Sequence, residues 1–417
     1  MAHDRHQTAQ SAPFGVARRV FANLLGRGAG QSLIALALLA IASVAAGLTL
    51  GENNERLEEL PGLLLLVPAA IALRGNIFGA LGSRLGTAIH AGTFRLSIRP
   101  ASVVGQNSWA SLVLTLLLSA IVAVLAKATA VAFGVADSIS LIDFIVISVV
   151  GGVLASVVVL GIALALAAGS VRNGWDPDNV TAPLVTAAGD VVTLPALMVA
   201  AALVDHRTVS ATLAVALVVL AIGATGLAIS KGAPPVRSII IESIPVLIVA
   251  GALDLVAGVT IEKQLVELAR QPALLVLLPG YLAAAGALGG ILSSRLSSKF
   301  HLGLLDATSI PARPARGDIG ATFILSVPVF AFTAIAAHIG AGLFDLASPG
   351  SVRLVAVAVL GGLAVTFLVV VVAYYGTIAA VRFGVDPDTY GIPLVTSILD
   401  LVGAFTFVLA IESLVLS

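Results

Sequence analysis

The chain has 417 residues, of which 59% are hydrophobic and 11% are charged, and its formal net charge is zero. Its mean hydropathy of +1.10 lies far outside the range of soluble proteins. The zero net charge implies no bulk attraction to nucleic acid, and the absence of cysteine excludes disulfides, thiolate metal sites and cysteine catalysis. The composition therefore indicates a polytopic membrane protein in a lipid bilayer.

Apolar runs that are long enough to cross a bilayer as helices recur along the whole chain. The runs are continuous instead of alternating with polar residues, which favours helices over the strands of a membrane barrel. They lie at roughly 31–50, 62–84, 109–134, 141–169, 181–203, 210–230, 239–260, 273–296, 319–344, 352–380 and 390–416. We therefore predict an all-α polytopic membrane protein with about eleven transmembrane helices.

The distribution of Lys and Arg predicts how these helices are oriented. Basic residues collect in the N-terminal segment and in alternate loops, whereas the first loop on the opposite side is acidic and contains Glu52, Glu55, Glu58 and Glu59. We expect a multi-pass protein of the cell membrane (inner or plasma), with a cytoplasmic N-terminus and an external C-terminus. Residues 1–30 are polar and basic, and we expect them to form a cytoplasmic tail.

The chain contains an internal repeat. The frame DPD, PLVT and a final Asp occurs at identical spacing in residues 176–190 and 386–400. The similarity extends further, since Pro61, Pro68, Gly75, Gly79, Arg84, Leu85, His90 and Gly92 recur as Pro272, Pro279, Gly286, Gly290, Arg295, Leu296, His301 and Gly303, and Gly151-Gly152 recurs as Gly361-Gly362. Each repeat thus contains five predicted spans, and the sixth span has no counterpart.

The unmatched sixth span determines the predicted arrangement of the two repeats. One additional crossing returns the chain to its starting side, so the repeats should be parallel and related by a pseudo-twofold axis along the membrane normal. We predict a first repeat at 31–208, a linking helix at 209–237 and a second repeat at 238–417. One chain would then act as a pseudo-dimer.

The fifth span of each repeat contains a carboxylate inside a membrane-length apolar segment, which is costly and usually marks an ion pathway. Thr186 and Asp190 are spaced i, i+4 and share a helix face, as do Thr396 and Asp400. These faces offer oxygen donors without nitrogen or sulfur, which suits hard cations such as Mg²⁺. The alternative is that each Asp caps a neighbouring helix, but its recurrence in both repeats favours a function.

Several further residues are candidates for the same pathway. Asn76 could line a pore in one half or form an interhelical hydrogen bond. Asp254 lies in the middle of a span, at the position of Ser43, and is a candidate for a second or coupling site; a structural pairing with Arg74 or Lys127 is the alternative. Finally, four acids at the start of the fifth spans could gather cations at a cytoplasmic mouth or cap the helices; they are Asp176, Asp178, Asp386 and Asp388.

Enzymatic motifs are absent from the sequence. It contains no HExxH, no GxSxG and no P-loop, so neither metalloproteolysis nor ATP-driven pumping is indicated. We predict that the protein is not an enzyme.

The two-copy pattern resembles the MgtE-type magnesium transporters and, more closely, solute carrier family 41. The resemblance rests on the DPD…PLVT…D frame and on the glycine-rich second span, and it covers nearly all of the chain beyond residue 30. It implies transport of divalent cations, chiefly Mg²⁺, and it matches Asp190 and Asp400 to a pore Asp of the fifth span. The chain departs from the MgtE type in two ways. It lacks the magnesium-sensing and CBS domains, and the glycine–asparagine pair of the second span is present in the first repeat as Gly75-Asn76 but is replaced by Gly286-Ala287 in the second.

Three functions are compatible with the sequence. The first is transport of a divalent cation, Mg²⁺ or a related ion, between the two repeats, with Asp190 and Asp400 binding the partly hydrated ion. The alternative is a proton- or sodium-coupled transporter of another solute that uses the same carboxylates. The third is a membrane scaffold whose buried acids only fix helix packing.

Overall fold

The structure, a computed structural model, describes residues 27–173, 177–205, 207–301, 304–305, 311–383 and 392–415. Within these ranges the chain forms thirteen α-helices and one 3₁₀ turn (Ala202–Asp205), and no strand. The helices are α1 Arg27–Glu52, α2 Asn54–Glu59, α3 Leu63–His90, α4 Val103–Ala132, α5 Leu141–Asn173, α6 Pro177–Ala201, α7 Arg207–Lys231, α8 Pro234–Glu262, α9 Leu265–Ala269, α10 Ala273–His301, α11 Arg313–Leu343, α12 Ser351–Phe383 and α13 Ile392–Leu414.

Ten of the described helices are long and apolar enough to cross a membrane: α3 to α8 and α10 to α13. Helix α1 adds a shorter apolar stretch at Leu36–Glu52. A helix rises 1.5 Å per residue, so about 20 residues span the hydrocarbon core of a bilayer. The predicted all-α polytopic membrane fold is therefore confirmed.

The loops alternate between the two ends of the bundle, as the sequence predicted. Loop segments that should share one side contact one another directly. These contacts are an ion pair between Arg56 and Asp205, and hydrogen bonds from Asn54 to the Ala269 carbonyl (3.3 Å), from Ile139 N to the Pro61 carbonyl (3.0 Å), from Ala273 N to the Ala347 carbonyl (3.1 Å) and from Gln264 to Glu412 (2.8 Å). Helix α13 therefore ends on the side of the first loop; that this side is external remains a prediction.

The first helix of each repeat packs against the other repeat. Helix α1 lies against α10 and α11 as well as α6, and α8 lies against α3 and α4 as well as α13. Two glycines allow this approach: a Cβ on Gly47 would lie 2.1 Å from the Val276 carbonyl oxygen, and one on Gly258 would lie 2.0 Å from that of Leu65. Gly258 and Val276 are the repeat counterparts of Gly47 and Leu65, so one pseudo-symmetric contact occurs twice.

The second spans form the centre of the bundle and the linking helix lies at its margin. Residues 63–70 of α3 and 273–281 of α10 are buried without exception. By contrast, α7 exposes large apolar side chains such as Val215, Val219 and Ile222. A helix with this pattern is suited to contact lipid on its outer face. The segment boundaries at residues 30, 208 and 237 remain predictions.

Candidate functional site

Asp190 lies on α6, inside the bundle, where only 7% of the residue is exposed. The hydroxyl of Ser43 on α1 donates a hydrogen bond to its Oδ2 atom at 3.3 Å. At the preceding Gly189, α6 packs against α3, and a Cβ there would lie at an ordinary contact distance of 3.6 Å from Cβ of Arg74. A carboxylate held at such depth is costly unless it binds another group.

Asp400 lies on α13 in the second half and is partly exposed, unlike Asp190. It interacts electrostatically with Asp190 and with Asp254. The two acids that the sequence repeat singled out are therefore within range of each other's charge, and Asp400 is within range of Asp254 as well. Because like charges repel, a cation near Asp400 would lower the cost of these carboxylates.

Asp254 lies on α8, with 1% of the residue exposed. Its Oδ2 atom accepts a hydrogen bond from the Ser397 hydroxyl of α13 at 3.1 Å, and its Oδ1 atom has no hydrogen-bond partner among the described residues. The expected alternative, an ion pair with Arg74 or Lys127, is wrong. Nζ of Lys127 instead donates to the carbonyl oxygens of residues 138 and 139, each at 3.0 Å, and so ties the loop that precedes α5.

Arg74 is fully buried and makes the two halves different. Its Nη2 atom donates to the Ser119 hydroxyl at 2.8 Å, while Nε and Nη1 have no hydrogen-bond partner in the described part of the chain. Gly152 leaves room for the guanidinium, because a Cβ there would lie 2.6 Å from Nη2. In the second half the counterpart Gly362 lies against the ring of Phe330, so a phenyl ring occupies the space that the guanidinium takes in the first half.

The two threonines of the fifth spans have different surroundings. Thr186 lies at the contact of α6 with α3, where Cβ atoms on Gly75 and Gly79 would be 3.6 Å and 3.4 Å from its side chain. The Thr396 hydroxyl donates to the Pro393 carbonyl at 3.1 Å. Nothing lies within 4 Å of a Cβ on Gly286 or Gly290, the counterparts of Gly75 and Gly79, so the second half is more open here.

The remaining predicted residues either have a described position in the fold with few described contacts or lie outside the described residues altogether. Asn76 lies on α3 and is partly exposed, and no hydrogen bond of its amide occurs among the described residues. Asp178 belongs to the first turn of α6, where only the backbone is described. Asp388 lies outside the described residues, as do Asp176 and Asp386.

The described residues contain no group of three or more His, Cys, Asp or Glu side chains arranged to hold a metal ion. Asp400 instead interacts with Asp190 and Asp254 separately.

Sequence reasoning missed three residues that contact the key groups. Ser43 was noted only as the counterpart of Asp254, and Ser397 was not noted although it lies three residues before Asp400 on the same helix face. Glu262, at the end of α8, was also missed. It is buried, and its carboxylate accepts hydrogen bonds from Gly62 N (2.6 Å) and Leu65 N (3.1 Å) at the start of α3.

A duplicated helical membrane protein with carboxylates inside its membrane-length helices belongs, by class, among polytopic transporters. The family model for MgtE, described as a divalent cation transporter, matches residues 67–201 and 278–410, one segment in each repeat. Because these segments cover more than half of the chain, the protein belongs to the MgtE divalent cation transporter family. Membership supports the prediction that it is a transporter and not an enzyme.

Curated relatives match along most of the chain. Solute carrier family 41 member 2 of Xenopus laevis is 26% identical over 92% of this chain and 71% of its own length. The Homo sapiens member 2 is 24% identical over 92% of this chain and 70% of its own length. Member 3 of Rattus norvegicus is 25% identical over 89% of this chain and 84% of its own length. No solved structure matches the chain. The predicted resemblance to both groups is confirmed.

Proposed function

We propose that the protein carries Mg²⁺ across a cell membrane along a path between its two repeats, and that Asp190 and Asp400 bind the partly hydrated ion. The observation that supports this proposal is that Asp190 and Asp400, one from each repeat, lie in membrane-spanning helices within range of each other's charge. Two carboxylates match the charge of one dication. Few protein ligands suit an ion that sheds water reluctantly.

The two halves would contribute unequally to this path. Asp400 is more exposed than Asp190, and the space beside Gly286 and Gly290 is open whereas Thr186 lies against the equivalent glycines of the first half. Thr186, Thr396 and Asn76 would supply additional oxygen donors, while Asp178 and Asp388 would gather cations at the cytoplasmic mouth.

The test is Mg²⁺ uptake into proteoliposomes by the full chain and by the variants Asp190→Asn and Asp400→Asn. Removing one charge about 4 Å from a dication at an effective dielectric of about 20 costs several kcal/mol, so we expect uptake to fall by roughly a hundredfold or more. Asp345→Asn is the matched control, because Asp345 is exposed in a loop and its positive φ of 53° is tolerated by Asn. Wild-type uptake in both site variants would refute the assignment.

A further inference from the structure

Repeat symmetry places Asp254 beside Asp400. Position 254 is the counterpart of Ser43, and Asp400 is the counterpart of Asp190. In the first half the Ser43 hydroxyl contacts the Asp190 carboxylate at 3.3 Å. The equivalent place in the second half therefore holds a carboxylate where the first half holds a hydroxyl.

The contacts of α13 give the same placement independently. Ser397 donates a hydrogen bond to Asp254 at 3.1 Å, and it lies three residues before Asp400. Side chains at i and i+3 on a helix are neighbours, with Cβ atoms about 5–6 Å apart. The Asp254 carboxylate thus lies on the face of α13 that presents Asp400, in agreement with the electrostatic interaction between the two acids.

One oxygen of Asp254 is unpartnered at this place. Its Oδ1 atom has no hydrogen-bond partner in the described part of the chain, and 1% of the residue is exposed. The two basic residues considered as its partners do not compensate for it, since Arg74 donates to Ser119 and Lys127 to the carbonyls of a loop. An unpartnered carboxylate oxygen is among the most costly groups to bury, so a ligand with positive charge would relieve it.

We propose that Asp254, Asp400 and Ser397 form a second cation site, specific for a hard metal ion and present only in the second half. The inference rests on the proposed function in that Asp400 is shared with the transport site. A dication between Asp190 and Asp400 balances two of the three negative charges; Na⁺ would balance the third, whereas a second Mg²⁺ would leave one positive charge in excess. Two carboxylates and a hydroxyl are all-oxygen donors, which suit Na⁺ or a second Mg²⁺ over softer ions.

Equilibrium dialysis of the purified full chain tests this proposal. Bound Mg²⁺ and bound radioactive Na⁺ are counted per chain for the wild type, for Asp254→Ser, which copies the first half, and for the isosteric Asp254→Asn. We expect each variant to bind one cation fewer than the wild type. Whether the Mg²⁺ count or the Na⁺ count falls identifies the ion at this site. Ser43→Asp, which copies the second half, should gain one cation.

The outcomes separate this proposal from the transport site. Equal Mg²⁺ and Na⁺ counts in the wild type and in a folded Asp254 variant would overturn the second site. If both Asp254 variants aggregate, the cation count of Ser43→Asp tests the proposal instead. A count equal to that of the wild type would overturn it. If the proposed transport site is wrong, Asp190→Asn should bind as much Mg²⁺ as the wild type. The cation counts of the Asp254 variants would still test the second site in that case.

Discussion

Gly258 of α8 lies directly against the backbone of Leu65 in α3, so close that a Cβ on the glycine would be 2.0 Å from the leucine carbonyl oxygen. The two residues belong to different repeats. Their repeat counterparts, Gly47 and Val276, make the same contact at the other side of the pseudo-twofold axis. In a bilayer the hydrophobic effect does not drive helices together, so they associate largely through close packing, which small residues such as glycine allow.

We predict that Gly258→Ala destabilises the protein by about 1–3 kcal/mol, because the added methyl group meets backbone that can move only if α3 shifts. The measurement is the midpoint of thermal unfolding in detergent. Gly223→Ala on α7 is the control, since nothing lies within 4 Å of a Cβ at that position. Equal midpoints for both variants would contradict the close contact.

A second prediction concerns the buried guanidinium. Gly152→Ala should destabilise by about 1–3 kcal/mol, because its methyl group would lie 2.6 Å from Nη2 of Arg74 and from the Ser119 hydroxyl. Truncation by Arg74→Ala removes one of these two obstacles and leaves the Ser119 hydroxyl free to move into the vacated space, so Gly152→Ala should cost less in that background. A double-mutant cycle on unfolding midpoints measures this coupling; strictly additive effects would show that Arg74 does not fill the space.

A third prediction concerns Glu262, which joins the end of α8 to the start of α3. Its carboxylate accepts hydrogen bonds from the Gly62 and Leu65 N–H groups, which are buried. Glu262→Ala leaves both donors without their acceptor and should therefore lower the unfolding free energy by about 1–3 kcal/mol. Glu58→Ala removes an exposed carboxylate from the same end of the bundle and should have little effect. Equal unfolding free energies for Glu262→Ala and the wild type would contradict a stabilising role of these hydrogen bonds.

The orientation in the membrane can be tested by thiol labelling, because the chain contains no cysteine. Glu412→Cys and Arg95→Cys place single thiols at exposed positions that the alternating loops assign to opposite sides. In intact cells a membrane-impermeant maleimide should label the first and reach the second only after lysis. The reverse pattern would invert the predicted topology without altering the fold.

The repeat made much of this architecture predictable from sequence. Duplicated motifs singled out Asp190 and Asp400, which lie in membrane-spanning helices within range of each other's charge; that they bind a cation stays a prediction. The surroundings of Asp254 and Arg74 could not be predicted, because neither has an equivalent in the other repeat. A long-range partner such as Ser397 or Ser119 is determined by helix rotation and packing, which hydropathy does not specify.

The packing of α1 against α10 has a consequence for how the protein is made. Helix α1 is synthesised first, but the backbone it packs against begins at Ala273, more than half the chain later. Contacts between distant segments delay folding, and domains normally fold as units during synthesis. The first half therefore leaves the ribosome with its second span still uncovered by α8. We expect a nascent chain stopped at residue 231 to be protease-sensitive. Adding the second half as a separate polypeptide should make it protease-resistant.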